Sequence, residues 1–141
     1  MKKRNLVIAY VYSKSDDSFA LFDMPDNHPS GATVNSFGGR VEHGETSEEA
    51  IIRETMEEVG YKVNSDSLHQ VATVPISTEF FGEVHMNVYV IVTNKRKPAL
   101  KGGEWKKSPE WTSLKDFPWE DLPPNNKQWL EPVLAGFIDN L

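Results

Sequence analysis

The segment from Gly39 to Tyr61, GRVEHGETSEEAIIRETMEEVGY, sets Arg53 and the carboxylates Glu45, Glu54, Glu57 and Glu58 at fixed steps between two glycines. Written out, the pattern is G-x5-E-x7-R-E-x-x-E-E-x-G, from Gly39 to Gly60. Those identities recur by chance with a probability on the order of 10⁻⁸ per starting position, so coincidence accounts for it poorly. Thr46 followed three residues later by Glu49 is a capping box, which satisfies backbone donors that a helix start leaves open and puts the first helical residue near Ser47. Gly60 suits the left-handed position just past the other end, giving a helix of about three turns. At about 100° per residue, Ile51, Ile52, Thr55, Met56 and Val59 gather on one side, and Arg53, Glu54, Glu57 and Glu58 on the other. The pattern predicts one face that packs and one that does chemistry.

Glu54 precedes Glu57 and Glu58 by three and four residues, which brings their Cβ atoms to about 5–6 Å of each other. Without a cation these carboxylates repel. An all-oxygen donor set suits Mg²⁺ or Mn²⁺, which combine a few carboxylates with retained waters and phosphate oxygens. The chain contains no Cys, so a thiolate site for a softer metal is excluded. Most Glu-rich helical stripes are simply solvated. Here Glu45 lies ahead of the helix, where its dipole favours a carboxylate and where it can accept from Arg53. A solvated stripe needs no such buttress.

These residues resemble the Nudix box, the signature of hydrolases acting on a nucleoside diphosphate linked to another moiety. The resemblance implies an α/β/α sandwich around a mixed β-sheet, with the box as a loop-helix-loop at one sheet end. It further implies Glu54, Glu57 and Glu58 as metal-facing residues, the Gly38 carbonyl as an added ligand, and Arg53 and Glu45 as orienting residues. One departure is Thr55, which stands where the family usually has a bulky aliphatic side chain.

A length of 141 residues fits one domain spanning 1–141, and the 38% hydrophobic and 26% charged residues are ordinary globular values. The formal charge of −6 argues against a nucleic-acid polymer as partner, because backbone binding needs a basic face. A small nucleotide remains compatible, since a bound cation reverses the local sign. The basic start Met1-Lys2-Lys3-Arg4 precedes an apolar run too short for a signal peptide, and no stretch approaches membrane-spanning length. The expected setting is cytoplasmic, away from membranes, as a monomer or homodimer.

Leu6–Tyr12 reads as a strand covered on both faces and Phe19–Met24 as its hairpin partner. Thr33–Gly39 forms a short approach to the box. Leu68–Val74 and Val84–Val92 are further strands, the second placing Val84, Met86, Val88 and Val90 on one face and His85, Asn87 and Tyr89 on the other. Pro75 reads as a turn after the first of these. Glu110–Thr112 is a last short strand, and Asn125 or Asn126 caps a terminal helix to about Asn140, with Pro132 as a kink or a later start.

The chemistry expected is Mg²⁺-dependent hydrolysis of a nucleoside triphosphate to monophosphate and pyrophosphate by a metal-activated water. Covalent catalysis is weakly supported, because the four His residues fall in separate contexts. Outside the box the chain resembles the MutT branch and its oxidised-purine triphosphatase counterparts. That resemblance implies a base contact for Asn35 in Asn35-Ser36-Phe37-Gly38-Gly39, a metal or base role for Glu104 in Gly102-Gly103-Glu104-Trp105, and a purine-reading role for the pair Asn125 and Asn126. Phe37 is a candidate for stacking on the base, with core packing as the alternative. The substrate expected is a purine or oxidised-purine triphosphate such as 8-oxo-dGTP. Two other readings are an ADP-ribose or ADP-sugar pyrophosphatase and a nucleotide-binding module without turnover. Pro75 lies near a proline of the ADP-ribose enzymes, but those tend to carry an extra N-terminal sheet for which little chain precedes Leu6.

Overall fold

Among the described residues the strands and α-helices follow one another as β1 (Arg4–Ser13), β2 (Ser18–Asp23), β3 (Val34–Asn35), β4 (Phe37–Arg40), α1 (Ser47–Val59), β5 (Leu68–Thr78), β6 (Gly82–Thr93), β7 (Glu110–Thr112) and α2 (Asn126–Asp139). The structure is a computed structural model that describes residues 4–24, 32–78, 82–94, 98–100 and 108–141. β1 organises it. Its side chains alternate between two buried environments, as the near-continuous apolar run predicts. Val7, Ala9 and Val11 pack with Ala50, Ile51 and Val59 of α1, whereas Ile8, Tyr10 and Tyr12 pack with Leu130 and Leu134 of α2. The two helices therefore cover opposite faces of one sheet.

The sheet runs β3-β2-β1-β6-β5, with β4 also paired to β1 and β7 to β2. β1 and β6 are parallel from Arg4↔Val84 to Ser13↔Thr93, and the other pairs are antiparallel, which makes the sheet mixed as expected. The β1–β2 hairpin turns through Asp17 at φ 48, whose carboxylate accepts from the Tyr12 hydroxyl.

Two expectations change. Pro75 is not a turn: it lies inside β5 opposite His85. β5 is an edge strand, so a residue without an N–H removes no bond from a central ladder. Of the two readings of Pro132, the later start falls away, because α2 starts at Asn126 and continues through the proline. Among the described residues no helix is long and apolar enough to cross a membrane.

Candidate active site

α1 is fixed by its own ends. Thr46 Oγ1 accepts from the Glu49 N–H at 3.1 Å and Glu49 Oε1 accepts from the Thr46 N–H at 3.0 Å, which completes the capping box. Gly60, at φ 68, closes the other end with its N–H on the Met56 carbonyl.

The clean division of α1 into an apolar face and an acidic face does not hold. Glu54 is 9% exposed and sits among Ala50, Ile51 and Thr55, while Met56 is 48% exposed. The cause lies across the gap to the sheet. A Cβ on Gly39 would stand 2.5 Å from the Glu54 carboxyl carbon, so the missing side chain is the space that Glu54 occupies. Gly38 is tight for a different reason, because a Cβ there would run into the Val7 carbonyl of β1. Thr55, fully buried, donates its hydroxyl to the Ile51 carbonyl and so satisfies its polar atom within the helix.

Arg53 is the hub. Its Nε donates to Glu45 Oε2 at 2.8 Å and its Nη2 to Glu45 Oε1 at 3.0 Å, a two-pronged grip that matches a carboxylate. Nη1 reaches Glu54 Oε1 at 3.0 Å and Glu57 Oε2 at 3.2 Å, and Nη2 also donates to the Arg40 carbonyl at 3.1 Å. Glu45 is delivered by a turn that sequence reasoning passed over: its N–H bonds the Glu42 carbonyl at 3.1 Å with Gly44 at φ 80. A His-Gly pair at the centre of such a turn was the readable signal. The Glu42 N–H also donates to Glu45 Oε1 at 3.0 Å.

These contacts split the carboxyls electrostatically. The Arg53 hydrogen bond, helped by the Glu42 N–H, holds Glu45 down to about 2. Glu54 moves the other way: burial raises its pKa, outweighing the lowering by Arg53. Arg53 itself is raised, chiefly by Glu45.

Glu57 is exposed and Glu58 half-buried. Among the described residues no three His, Asp or Glu side chains form a preformed metal nest, and the Arg53 guanidinium spans Glu54 and Glu57. Glu104 lies outside the described residues. Asn35 is half-buried and its Oδ1 is a buried acceptor with no hydrogen-bond partner. Phe37 is corrected from a stacking candidate to a core residue: it is 1% exposed and meets Phe22 edge to face at 5.8 Å. Of the two asparagines, Asn126 is buried at the start of α2, while Asn125 is exposed with φ 69 and makes no side-chain cap. His43 is exposed, and His69 lies against Phe137, with ring centroids 5.5 Å apart.

The NUDIX domain family model matches residues 2–137. The chain belongs to the Nudix family. This Nudix chain is 36% identical over 101 residues to the oxidized purine nucleoside triphosphate hydrolase of Mus musculus, a match covering 71% of the chain and 62% of the mouse protein. It therefore spans less than two thirds of that relative. It is 28% identical over 135 residues to the 8-oxo-dGTP diphosphatase of Escherichia coli K12, covering 96% of each. Among solved structures, the E. coli ORF135 protein superposes with a TM-score of 0.74 at 22% identity, covering 96% of this chain and 91% of that one. A MutT protein from Methanosarcina mazei Go1 gives 0.71 at 19% identity, covering 99% and 97%. These two share the Nudix fold with it.

Proposed function

We propose that this Nudix domain is a hydrolase that cleaves a purine nucleoside triphosphate, with an oxidised purine such as 8-oxo-dGTP preferred, to the monophosphate and pyrophosphate. Mg²⁺ is the cation in this reading, with Mn²⁺ able to substitute. The observation that carries it is a desolvated carboxylate, Glu54, pressed into the space over Gly39 beside an Arg53 hub clamped by Glu45. A carboxylate whose charge is disfavoured by burial gains from a nearby cation. The donors fit a hard ion: Glu54, Glu57, Glu58 and the Gly38 carbonyl offer oxygen alone, with Glu104 a further donor in the proposal. Bound there, such an ion would neutralise phosphate oxygens, make phosphorus more electrophilic and make water more acidic.

The chain's own residues do the rest. Arg53 orients Glu54 and Glu57, and Glu45 keeps the guanidinium from swinging away. Glu57, with its side chain 57% exposed, takes the proton of the attacking water and passes it to solvent. The unpartnered Asn35 Oδ1 supplies an acceptor for a purine N–H, and the Asn126 amide offers both donor and acceptor to the base. Asn125 belongs to the same loop end as an exposed amide. The mouse relative, an oxidized purine nucleoside triphosphate hydrolase, and the bacterial relative, an 8-oxo-dGTP diphosphatase, support an oxidised purine.

Incubation with Mg²⁺ and dGTP, 8-oxo-dGTP, dATP, CTP or ADP-ribose, followed by product identification, tests this. Pyrophosphate and a purine monophosphate are expected, fastest from 8-oxo-dGTP. AMP with ribose 5-phosphate, or binding without turnover, would overturn it.

A further inference from the structure

Ser47 opens α1 and Glu54 follows seven residues later, so the two project from the same side of the helix, about 10.5 Å apart along its axis. The sheet beneath repeats that interval. Gly39 of β4 pairs with Val7 of β1, and Val7 pairs with Asn87 of β6. Gly39 and Asn87 thus stand two strand spacings apart, about 9.6 Å. α1 lies along one row of the ladder, touching down at both ends. At one end Glu54 rests over Gly39; at the other, Asn87 Nδ2 donates to Ser47 Oγ at 2.8 Å. Between them Ala50 and Ile51 are fully buried.

Asn87 is itself held on its other side. Its Oδ1 accepts from Thr73 Oγ1 at 3.0 Å and from Gln70 Nε2 at 3.1 Å, and Thr73 is its ladder partner on β5. Burial raises the pKa of Tyr89, two residues along the same face of β6, with Glu48 at the same helix start adding to the rise and Ser47 opposing it. Asn87 of β6 thus reaches the first turn of the acidic helix while Gln70 and Thr73 of β5 brace it from behind, with both ends of its amide engaged.

We propose that Asn87 is a positioning residue for the site: through Ser47 it fixes α1 along its axis, so that Glu54 meets Gly39 two turns away. The hydrophobic contacts of Ala50 and Ile51 are non-directional, and the bond from Arg53 to the Arg40 carbonyl of β4 ties the helix to the sheet at the Glu54 end only. The Asn87–Ser47 bond adds a second directional tie at the far end, which sets the helix along its axis. The kinetic consequence rests on the hydrolase reading given above; the positional consequence does not.

Four variants test it: Asn87→Ala, Ser47→Ala, the double variant, and Asn87→Asp. The aspartate keeps the anchor, because both its oxygens accept and the Ser47 hydroxyl can turn to donate. The readouts are kcat and KM, the Mn²⁺ dissociation constant by electron paramagnetic resonance, and the Gly39 amide resonance by NMR without metal. A misplacement near 1 Å costs up to about 10²-fold in rate, so Asn87→Ala lowers kcat about tenfold or more with KM within about twofold. It also weakens Mn²⁺ binding and shifts the Gly39 resonance. Ser47→Ala does the same, the double variant is no worse than either single one, and Asn87→Asp recovers to within about threefold of wild type. Unchanged kcat, Mn²⁺ affinity and Gly39 resonance in a folded Asn87→Ala protein overturn the proposal, as do additive effects or an aspartate as impaired as the alanine. If the wild-type protein hydrolyses nothing in the panel, the hydrolase reading falls, and the Mn²⁺ and Gly39 readouts still decide the role of Asn87.

Discussion

An alanine at position 39 brings a methyl carbon to 2.5 Å from the carboxyl carbon of Glu54, where ordinary contact begins near 3.4 Å. Glu54 Oε1 lies nearer still, so the carboxyl must withdraw by about 1 Å. It has little room to do so. Arg53 Nη1 holds one oxygen at 3.0 Å, and the residue is 9% exposed. Gly39 is not among the residues with positive φ, so the substitution adds no backbone strain, and any loss comes from the collision alone. A displacement near 1 Å lowers a positioned reaction by about 10²-fold, and overpacking costs about 1–3 kcal/mol of stability. Rates of pyrophosphate release at saturating Mg²⁺ and triphosphate, with thermal melting followed by circular dichroism on the same samples, measure both. Gly39→Ala is expected to stay folded at the assay temperature and to lose about 10²-fold in kcat. A folded variant with wild-type kcat refutes the idea that the bare glycine seats Glu54.

Arg53→Lys keeps the charge and loses the fork that grips both oxygens of Glu45, so turnover falls about 10–100-fold; turnover within about threefold of wild type contradicts this. Burial raises the pKa of Glu54, so its charge weakens the folded state at neutral pH, and Glu54→Gln raises Tm in EDTA while turnover drops about 10²-fold. A lower Tm is the contrary result. Glu45 has the opposite sign: its folded value of about 2 lies below the ordinary 4.5, so its stabilisation is complete above pH 4.5 and fades as pH falls toward 2. Curves of Tm against pH for wild type and Glu45→Gln should therefore lie apart above that window and converge through it, and parallel curves would contradict the Arg53–Glu45 assignment.

What could be read from the sequence was local in origin. The capping box at Thr46 and Glu49, the left-handed Gly60 and the Arg53–Glu45 pair all depend on residues within one helix and its lead-in, and each is found as expected. The two-sided burial of β1 was legible because an unbroken apolar run leaves neither face of a strand suited to water. The burial of Glu54 was not, because helical periodicity sees only α1, whereas the deciding space belongs to Gly39 on another element. The same blindness hid Asn87, which periodicity assigns to a face of β6 without naming Ser47 above it, forty residues earlier in the chain. Pro75 read as a turn because its fitness for a strand depends on β5 being at the sheet edge, a fact of topology. Asn125 and Asn126 are indistinguishable by composition, and only the fold separates them, leaving Asn125 exposed at positive φ and Asn126 buried.

A crystal structure of the protein with Mg²⁺ and a nonhydrolysable purine triphosphate would test the metal-dependent reading most directly. Oxygens of Glu54, Glu57 and Glu58 are expected on cations that also contact the triphosphate, with Arg53 still bound to Glu45. Carboxylates turned to bulk solvent, with the triphosphate seated elsewhere, would contradict it.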